Sequence, residues 1–533
     1  MTAGVLVSDG SLPSARLVAA LRQHSATILT GLCACIVVIL AIGPWPVGVF
    51  QDDGLYVVLA KSIATGEGYR FLNIPGAPNA THYPPGYPLL LAALWKLYPV
   101  FPQNITLFKF VNALLLGVAA ILACGFARSR LALGPRTTVV TVLLFTICVP
   151  TVLLSVMVLS EPLFLVVLFV ALGLAERLVE KPTLRRAIAA GLVIALLAQV
   201  RTLGALALPA VGLVLLWRLQ WRWAGVVVVT GGLAMLPWQL WVGAHAHEIP
   251  TVFSGKYGSY GGWLADAVRS DGPSFLAATA MHNLRALAAY GWEMTATAGL
   301  HVAVRYLASI ASGVLLIGGV ARLAHRAPVT AWFIVAYLGV VLLWPFDPVR
   351  FLWGIWPLLG MSFALAVEWL VADRPLAGRW IGALYLARAV PVALLVGYLV
   401  YNVSGFQGRV IDQTQQSVAN RAQPLAEWVA GNTQSNAVLV TDDDALLYLY
   451  TGRRGVPNGR FTPQEYLVPQ TPAFAVHALR EILRTYRADY VLASSEYGVY
   501  AVRGLVNATP PELRIVTVLR SGAVFAPVKN AAP

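Results

Sequence analysis

Long, nearly uninterrupted apolar stretches recur between residues 28 and 403. A helix of about 20 residues spans the hydrocarbon core of a bilayer, so a chain that repeats such stretches is expected to cross a membrane several times. The composition agrees, because 58% of the 533 residues are hydrophobic and 12% are charged. Soluble domains carry about 25% charged residues. The pattern therefore excludes a soluble enzyme, a disordered chain and a fibrous protein.

Eleven stretches are predicted to be membrane-spanning helices. They cover residues 28–50, 105–127, 137–156, 160–179, 186–201, 202–217, 223–242, 301–322, 328–345, 351–371 and 380–403. We expect residues 1–403 to form a polytopic α-helical transmembrane domain with two outer loops, 51–104 and 243–300. Residues 404–533 form a more polar tail.

The basic residues set the orientation. A formal charge of +14 would suggest nucleic acid in a soluble protein, but in a membrane protein basic residues collect in cytoplasmic loops. No nucleic-acid partner is therefore predicted. With the N-terminus inside, the inner side holds Arg16, Arg22, Arg128, Arg130, Arg136, Arg177, Lys181, Arg185, Arg186, Arg218, Arg222, Arg322, Arg326, Arg374 and Arg379. The short outer connections hold only Arg201 and Arg350. An odd number of spans then places the tail outside.

The tail alternates helix-like and strand-like patterns. Ala437–Thr441, Asp489–Ala493 and Arg514–Leu519 predict strands, and Ala473–Tyr486 predicts an amphipathic helix. We therefore expect a small extracytoplasmic α/β domain at the C-terminus. It has neither a G-x-G-x-x-G motif nor a P-loop, so no nucleotide cofactor is predicted.

Two adjacent carboxylates, Asp52 and Asp53, stand where the chain leaves the first predicted span. A predicted helix, Leu55–Ala64, follows them, which leaves two explanations of similar weight. The acids could cap that helix, whose N-terminus favours negative charge, or they could carry chemistry. Further along the same loop, the run Thr81–Pro88 contains three prolines in five residues, which fix its backbone.

Other ionisable residues are predicted at the same outer level. Glu161 begins the fourth span, Arg201 lies between the fifth and sixth, and Arg350 comes just before the tenth. Simpler explanations are open for each: capping for Glu161, snorkelling for Arg201 and a local pair with Asp347 for Arg350. An ion at membrane depth costs about 2.5–3.5 kcal/mol on insertion scales, so their convergence on one face favours a polar site there.

The first outer loop resembles that of the GT-C glycosyltransferases. The resemblance rests on Asp52-Asp53-x-x-Tyr56, on Ala64-x-Gly66-x-Gly68-Tyr69 and on Tyr83-Pro84-Pro85-Gly86-Tyr87-Pro88. More narrowly, the loop is similar to that of the bacterial branch of this family, which includes the lipid A aminoarabinose transferase and relatives of the protein O-mannosyltransferases. The span count, the outside tail and the Arg350-Phe351 run before the tenth span agree with that architecture.

The resemblance implies a membrane enzyme that takes its sugar from a polyprenyl-phosphate donor. By position in the motif, Asp52 is the expected general base and Asp53 the second acid. The chain departs from the aminoarabinose transferase before the two prolines, where that enzyme has an acidic and a basic residue and this chain has His82 and Tyr83. Whether a divalent metal ion is bound is therefore left open, with Asp52, Asp53 and His82 as candidate ligands.

The chemistry of such a transfer assigns the remaining candidates. The leaving phosphate needs a cation nearby, for which we rank Arg350 first, Arg201 second and Lys256 of the second outer loop third. The acceptor hydroxyl must lose its proton to a carboxylate, and attack opposite the phosphate inverts the anomeric carbon. The other candidates for the substrate site are Tyr56, His82, Tyr83 and Glu161.

The acceptor stays open and could be a glycolipid, a polysaccharide or a protein of the cell envelope. A protein O-glycosyltransferase is the alternative within the enzyme class. A transporter or flippase for lipid-linked sugars would place ionisable residues near the midplane and show repeats, which the sequence does not. A non-catalytic scaffold leaves the clustered acids unexplained. We therefore predict an inverting glycosyltransferase that crosses a bacterial inner membrane several times, contacts its lipids and has its N-terminus in the cytoplasm.

Overall fold

A computed structural model of the chain describes residues 13–296, 300–372 and 381–528. Arg374 and Arg379, which we predict in a cytoplasmic loop, lie outside the described residues. The described residues are mostly helical, with one small sheet close to the C-terminus.

Helices follow one another with short connections up to residue 407. They are α1 (Pro13–Leu40), α2 (Asp52–Ala64), α3 (Gly86–Leu97), α4 (Asn104–Arg130), α5 (Pro135–Thr146), α6 (Val149–Val156), α7 (Glu161–Glu180), α8 (Leu184–Val200), α9 (Ala207–Trp217), α10 (Trp221–His245), α11 (Ser254–Tyr257), α12 (Tyr260–Asp271), α13 (Ser274–Thr295), α14 (Val302–Arg326), α15 (Pro328–Leu343), α16 (Pro348–Trp353), α17 (Trp356–Val371) and α18 (Ile381–Gln407). Short 3₁₀ turns lie at Thr202–Leu206, Ala246–Glu248 and Thr251–Phe253.

Each of the eleven predicted spans overlaps a helix or a pair of helices. Among the described residues, five helices are long and apolar enough to cross a membrane, or six if the bent pair α5–α6 counts as one span. The five are α4, α7, α10, α14 and α18. The positions of the apolar helices are thus confirmed, and the number of eleven spans stays a prediction.

Two predicted spans have wrong boundaries, for the same physical reason. The first was expected to reach residue 50, but α1 ends at Leu40, shortly before Pro44 and Pro46. The third divides into α5 and α6, which meet at a bend of 56° beside Pro150. Proline lacks the N–H that continues a helix and restricts the residue before it.

The second outer loop contains a helix of 22 residues, α13, that we did not predict. The side-chain amide of Asn283 on this helix donates hydrogen bonds to three carbonyls at the end of α15, those of Val341, Leu342 and Trp344. Carbonyls at a helix end have no partner within the helix. Asn283 therefore fixes the outer end of α15 against the second outer loop.

Small residues let the central helices pack closely. Where α1 crosses α4, a Cβ added to Gly31 would lie 2.7 Å from the carbonyl oxygen of Gly117. Where α8 crosses α10, a Cβ on Gly191 would lie 2.9 Å from the carbonyl oxygen of Val227. Close approach of this kind stabilises helix pairs in lipid, where no hydrophobic effect drives them together.

The tail leads from α18 through α19 (Val410–Asn432) into a five-stranded sheet. The strands are β1 (Val438–Thr441), β2 (Arg454–Pro457), β3 (Tyr490–Ala493), β4 (Leu513–Leu519) and β5 (Gly522–Pro527), in the order β2-β1-β3-β5-β4. Between strands lie α20 (Asp444–Thr451), a 3₁₀ turn (Pro463–Tyr466), α21 (Pro472–Tyr486) and α22 (Glu496–Val506). The three predicted strands and the predicted helix are confirmed, whereas β2 and β5 were not predicted.

The central strands are parallel and buried. Val440 on β1 pairs with Val456 on β2 and with Val491 on β3, and all three side chains are fully buried. Strand β5 runs antiparallel to both β3 and β4. Because β1, β2 and β3 are parallel, their carboxyl ends lie at one edge of the sheet.

That edge packs on the outer loops. Asp444, just after β1, is buried and accepts hydrogen bonds from Asn73 Nδ2 at 2.7 Å and from the hydroxyl of Tyr257. The N–H of Val47 donates to the hydroxyl of Tyr450 in α20 at 3.2 Å. The main hydrophobic core continues from the transmembrane helices into the tail, so residue 403 does not mark a break in the packing.

Candidate active site

The two adjacent acids point to different surroundings. The side chain of Asp53 is buried, and its oxygens accept hydrogen bonds from the N–H groups of Gly48 and Phe50, each at 2.9 Å. Burial raises the pKa of Asp53 to about 6, although the two backbone hydrogen bonds favour the charged form. Asp53 therefore holds the turn that precedes α2, because the amides of Gly48 and Phe50 lie before that helix.

A buried lysine holds the same stretch from its other side. Residues 41–51, which we call the α1–α2 segment, contain neither helix nor strand up to the start of α2. Lys109 of α4 is 2% exposed, and its Nζ donates to the carbonyls of Gly43 at 3.2 Å and Trp45 at 2.9 Å. Asp53 accepts hydrogen bonds from amides of this segment, and Lys109 donates to its carbonyls. The segment held in this way fixes where α2 begins.

Asp52, the first residue of α2, meets an arginine from a distant helix. Its Oδ2 lies 2.6 Å from a guanidinium nitrogen of Arg350 on α16, and its Oδ1 accepts a hydrogen bond of 2.7 Å from the hydroxyl of Tyr83. Burial alone would raise the pKa of Asp52, but Arg350 and Tyr83 outweigh it and hold that pKa below its usual range. The guanidinium also lies 4.4 Å above the ring of Phe50.

A second arginine is held by a buried acid. Arg201, just after α8, lies 2.5 Å from Oε1 of Glu161, and it also donates to the hydroxyl of Ser160 at 3.3 Å. That hydroxyl is 3.2 Å from the hydroxyl of Tyr56. Glu161 is buried, so Arg201 is paired within the protein rather than snorkelling into the lipid interface.

These groups meet at one pocket. The space between its lining residues is about 1130 Å³, counting the part that is open to solvent. The predicted site residues that line it are Asp52, Tyr56, His82, Tyr83, Arg201 and Arg350. Asp53, Glu161 and Lys256 are not among its lining residues. The roles of all these residues stay predictions.

Aromatic residues that the sequence analysis missed complete the pocket. Tyr260 and Trp263 of α12 line it together with Trp344 and Phe346, which follow α15. The density of aromatic residues in these two outer connections was the available signal. It is a weak one, because tyrosine and tryptophan are enriched at membrane interfaces in general.

The simpler explanation for Arg350, a local pair with Asp347, does not describe the structure. Asp347 accepts a hydrogen bond from the N–H of Val349 at 2.9 Å and so caps α16, while Arg350 pairs with Asp52. Lys256 lies on α11, near the buried carboxylate of Asp444. Its placement is a reason to rank Lys256 below both arginines as a phosphate ligand.

The metal candidates are not gathered into one site. Both oxygens of Asp53 are engaged by backbone amides, and Nδ1 of His82 lies 2.6 Å from the carbonyl oxygen of Gly258. Across residues 13–296, 300–372 and 381–528, no group of three or more His, Cys, Asp or Glu side chains is arranged to hold a metal ion. The residues present at the pocket therefore do not fit a resident metal.

Comparisons with known proteins point to one fold. No protein-family model and no curated protein matches the sequence. The crystal structure of ArnT from Cupriavidus metallidurans bound to undecaprenyl phosphate matches with a TM-score of 0.54 and 14% identity, over 96% of this chain and 99% of that chain. The apo crystal structure of an oligosaccharyltransferase from Archaeoglobus fulgidus matches with a TM-score of 0.50 and 12% identity, over 95% and 75% of the two chains.

ArnT is the lipid A aminoarabinose transferase, and both matched proteins are GT-C glycosyltransferases. The matches cover nearly all of this chain, including the tail. They agree with the resemblance read from the first outer loop. The chain therefore has the fold of the GT-C membrane glycosyltransferases.

Proposed function

We propose that the chain is an inverting glycosyltransferase of a bacterial inner membrane, which moves a sugar from a polyprenyl-phosphate donor to a hydroxyl of a cell-envelope acceptor. The observation that carries this proposal is the pocket where one carboxylate, Asp52, meets two arginines, Arg201 and Arg350, at the ends of apolar helices. The structurally similar ArnT was crystallised with undecaprenyl phosphate, which is the kind of lipid that such a donor leaves behind.

The pocket offers suitable surroundings for a lipid phosphate. A prenyl chain stays in the bilayer while its phosphate stays at the surface. The planar guanidinium groups of Arg350 and Arg201 can each bind phosphate oxygens in pairs. Beside them the lining is apolar, with Val200, Leu203 and Val340, so the prenyl chain can lie along the ends of α8 and α15.

In the proposed reaction, Asp52 accepts the proton of the acceptor hydroxyl. A phosphate that binds Arg350 competes with Asp52 for the guanidinium group. The ion pair between Asp52 and Arg350 is then weaker, so it lowers the pKa of Asp52 less, and the effect of burial raises that pKa. The acceptor oxygen bonds to the anomeric carbon on the face opposite the phosphate, and the bond from that carbon to the phosphate oxygen breaks. The acceptor proton passes to Asp52, and the leaving phosphate keeps its negative charge beside the arginines.

The test compares the envelopes of cells with and without the gene. Mass spectrometry of glycolipids, polysaccharides and glycoproteins should show one glycan modification that disappears on deletion. The wild-type gene should restore it, and Asp52→Asn should not. An unchanged envelope, or full restoration by Asp52→Asn at normal protein level, would contradict the proposal. The class of molecule that changes also identifies the acceptor.

A further inference from the structure

One wall of the pocket is a continuous row of rings. The centroid of His82 lies 4.1 Å from that of Tyr260, which lies 5.5 Å from that of Trp344, which in turn lies 5.7 Å from that of Trp263. All four side chains line the pocket. They come from the first outer loop, from α12 and from the residue after α15. We call these four residues the aromatic row.

The row ends in a hydrogen-bond acceptor. Nδ1 of His82 lies 2.6 Å from the carbonyl oxygen of Gly258, and because a carbonyl only accepts, Nδ1 must carry the proton. Burial lowers the pKa of His82 and so favours the neutral ring. Nε2 then keeps its lone pair, and the hydrogen bond that the structure shows for the ring among the described residues is the one at Nδ1.

We propose that the aromatic row binds the sugar ring of the donor, with Nε2 of His82 accepting a hydrogen bond from one sugar hydroxyl. This inference rests on the proposed function and names the part of the pocket that recognises the sugar. A sugar ring presents apolar C–H groups on its faces and hydroxyls at its edge. The flat rings of Tyr260, Trp344 and Trp263 suit the faces, and a fixed acceptor suits the edge.

The other parts of the donor fit this wall less well. The row contains no cation, so it does not suit the phosphate, for which Arg350 and Arg201 are available. A prenyl chain over the row would cover Nε2 of His82 without giving it a partner, and a buried acceptor left unpaired costs about 1–3 kcal/mol. A site built around a hydroxyl also rejects analogues that lack it, so His82 should decide which sugars are accepted.

The experiment measures equilibrium binding to the full chain in lipid nanodiscs. The probes are undecaprenyl phosphate and a panel of undecaprenyl phosphates carrying arabinose, glucose, mannose, galactose or N-acetylglucosamine. Wild type should bind at least one sugar-bearing probe about tenfold more tightly than undecaprenyl phosphate, as expected for a few good contacts. Trp344→Ala should remove most of that difference while the Kd for undecaprenyl phosphate stays within about twofold.

Two substitutions of His82 separate recognition from packing. His82→Asn keeps an amide that can donate to Gly258 but lacks an acceptor at the Nε2 position, so the preference for the sugar-bearing probe should be lost. His82→Gln reaches that position with its amide oxygen, so part of the preference should return. Trp217→Ala is the matched control, because Trp217 is 76% exposed at the end of α9 and does not line the pocket.

The outcomes distinguish the two proposals. If wild type binds undecaprenyl phosphate but prefers no sugar-bearing probe, the aromatic row is not a sugar site. The same conclusion follows if Trp344→Ala and His82→Asn keep the full preference, or if they weaken both kinds of probe equally. If wild type does not bind undecaprenyl phosphate at all, the proposed function itself is wrong.

Discussion

Neighbouring residues on a helix face directions about 100° apart, and this turn gives Asp52 and Asp53 different surroundings. Asp52 lines the pocket, whereas Asp53 binds the amides of Gly48 and Phe50. The sequence identifies both acids as candidates but cannot separate capping from chemistry, because the same pattern fits both. It also cannot show that Asp52 pairs with Arg350, since only folding brings residues so far apart in the chain together.

Asp52→Asn should reduce turnover by about 10²–10⁴-fold, the usual contribution of a general base. Asparagine keeps the size and capping ability of aspartate, so the fold and the affinity for undecaprenyl phosphate should persist. Steady-state turnover and lipid binding of the purified variant check this. Normal turnover in Asp52→Asn beside an inactive, folded Asp53→Asn would mean that the other acid is the base.

Arg350→Gln should move the acid limb of the kcat/KM profile to higher pH. In the free enzyme, which kcat/KM reports, burial raises the pKa of Asp52, but Arg350 and Tyr83 lower it by more and hold it below its usual range. Losing Arg350 removes a cause of that lowering, so Asp52 becomes protonated, and unable to act as a base, at a higher pH than in the wild type. Profiles between pH 4 and 8 test this. Arg350→Lys should move the acid limb less than Arg350→Gln does. An acid limb that stays at the wild-type pH would show that Arg350 does not influence the base.

Activity should survive exhaustive chelation, because the two arginines supply positive charge at the pocket and Asp53 is committed to backbone amides. The measurement is turnover after dialysis against EDTA, with the residual metal content determined in the same sample. Loss of activity that one added divalent metal restores would show a metal site that these side chains do not reveal.

At the scale of elements, the α1–α2 segment joins membrane packing to the pocket. Lys109→Met should lower the thermal stability of the purified protein and its turnover together. The partly buried carbonyls of Gly43 and Trp45 would lose their donor, and an acceptor left unpaired costs up to about 1–3 kcal/mol where it is fully buried. Lys96→Met on the exposed face of α3 is the control. A Tm equal to that of wild type would show that the segment does not need Lys109.

Elements were predictable where one physical signal dominates. The apolar stretches of the sequence stand out clearly from their surroundings, so the positions of the helices follow from hydropathy. Strands β2 and β5 were missed because both contain glycine and proline, which are depleted in strands. Helix α13 was missed because its apolar residues are interrupted by polar ones such as Asn283, whose partners on α15 become visible only in the folded chain.

At the scale of the whole molecule, the excess of basic residues on one side predicts the topology. An alkaline phosphatase fusion at Gly431, exposed at the end of α19, should be active, because we predict the tail to lie outside. A fusion at Gly134, between α4 and α5, should be inactive. Activity in the reverse pattern would overturn the orientation and place the pocket on the wrong side of the membrane for the proposed reaction.

The overall architecture was predictable because the first outer loop resembles a family with a known arrangement of helices and tail, and the structural matches agree with it. The way in which the tail is attached to the outer loops was not predictable from the sequence. It depends on single polar contacts such as Asp444 with Asn73, and no periodicity or motif in either segment marks them as partners.

The contacts of the tail also have a consequence for biogenesis. The ribosome makes the tail after both outer loops, yet Asp444 joins it to Asn73 and Tyr257 in those loops, and the ring of Phe461 stacks on that of Trp263 at 5.3 Å. Trp263 also lines the pocket, so the helices made earlier lack this support for the pocket wall until the tail has folded against the loops. A chain that stops before residue 404 therefore lacks the contacts that hold Trp263 and the two outer loops against the tail.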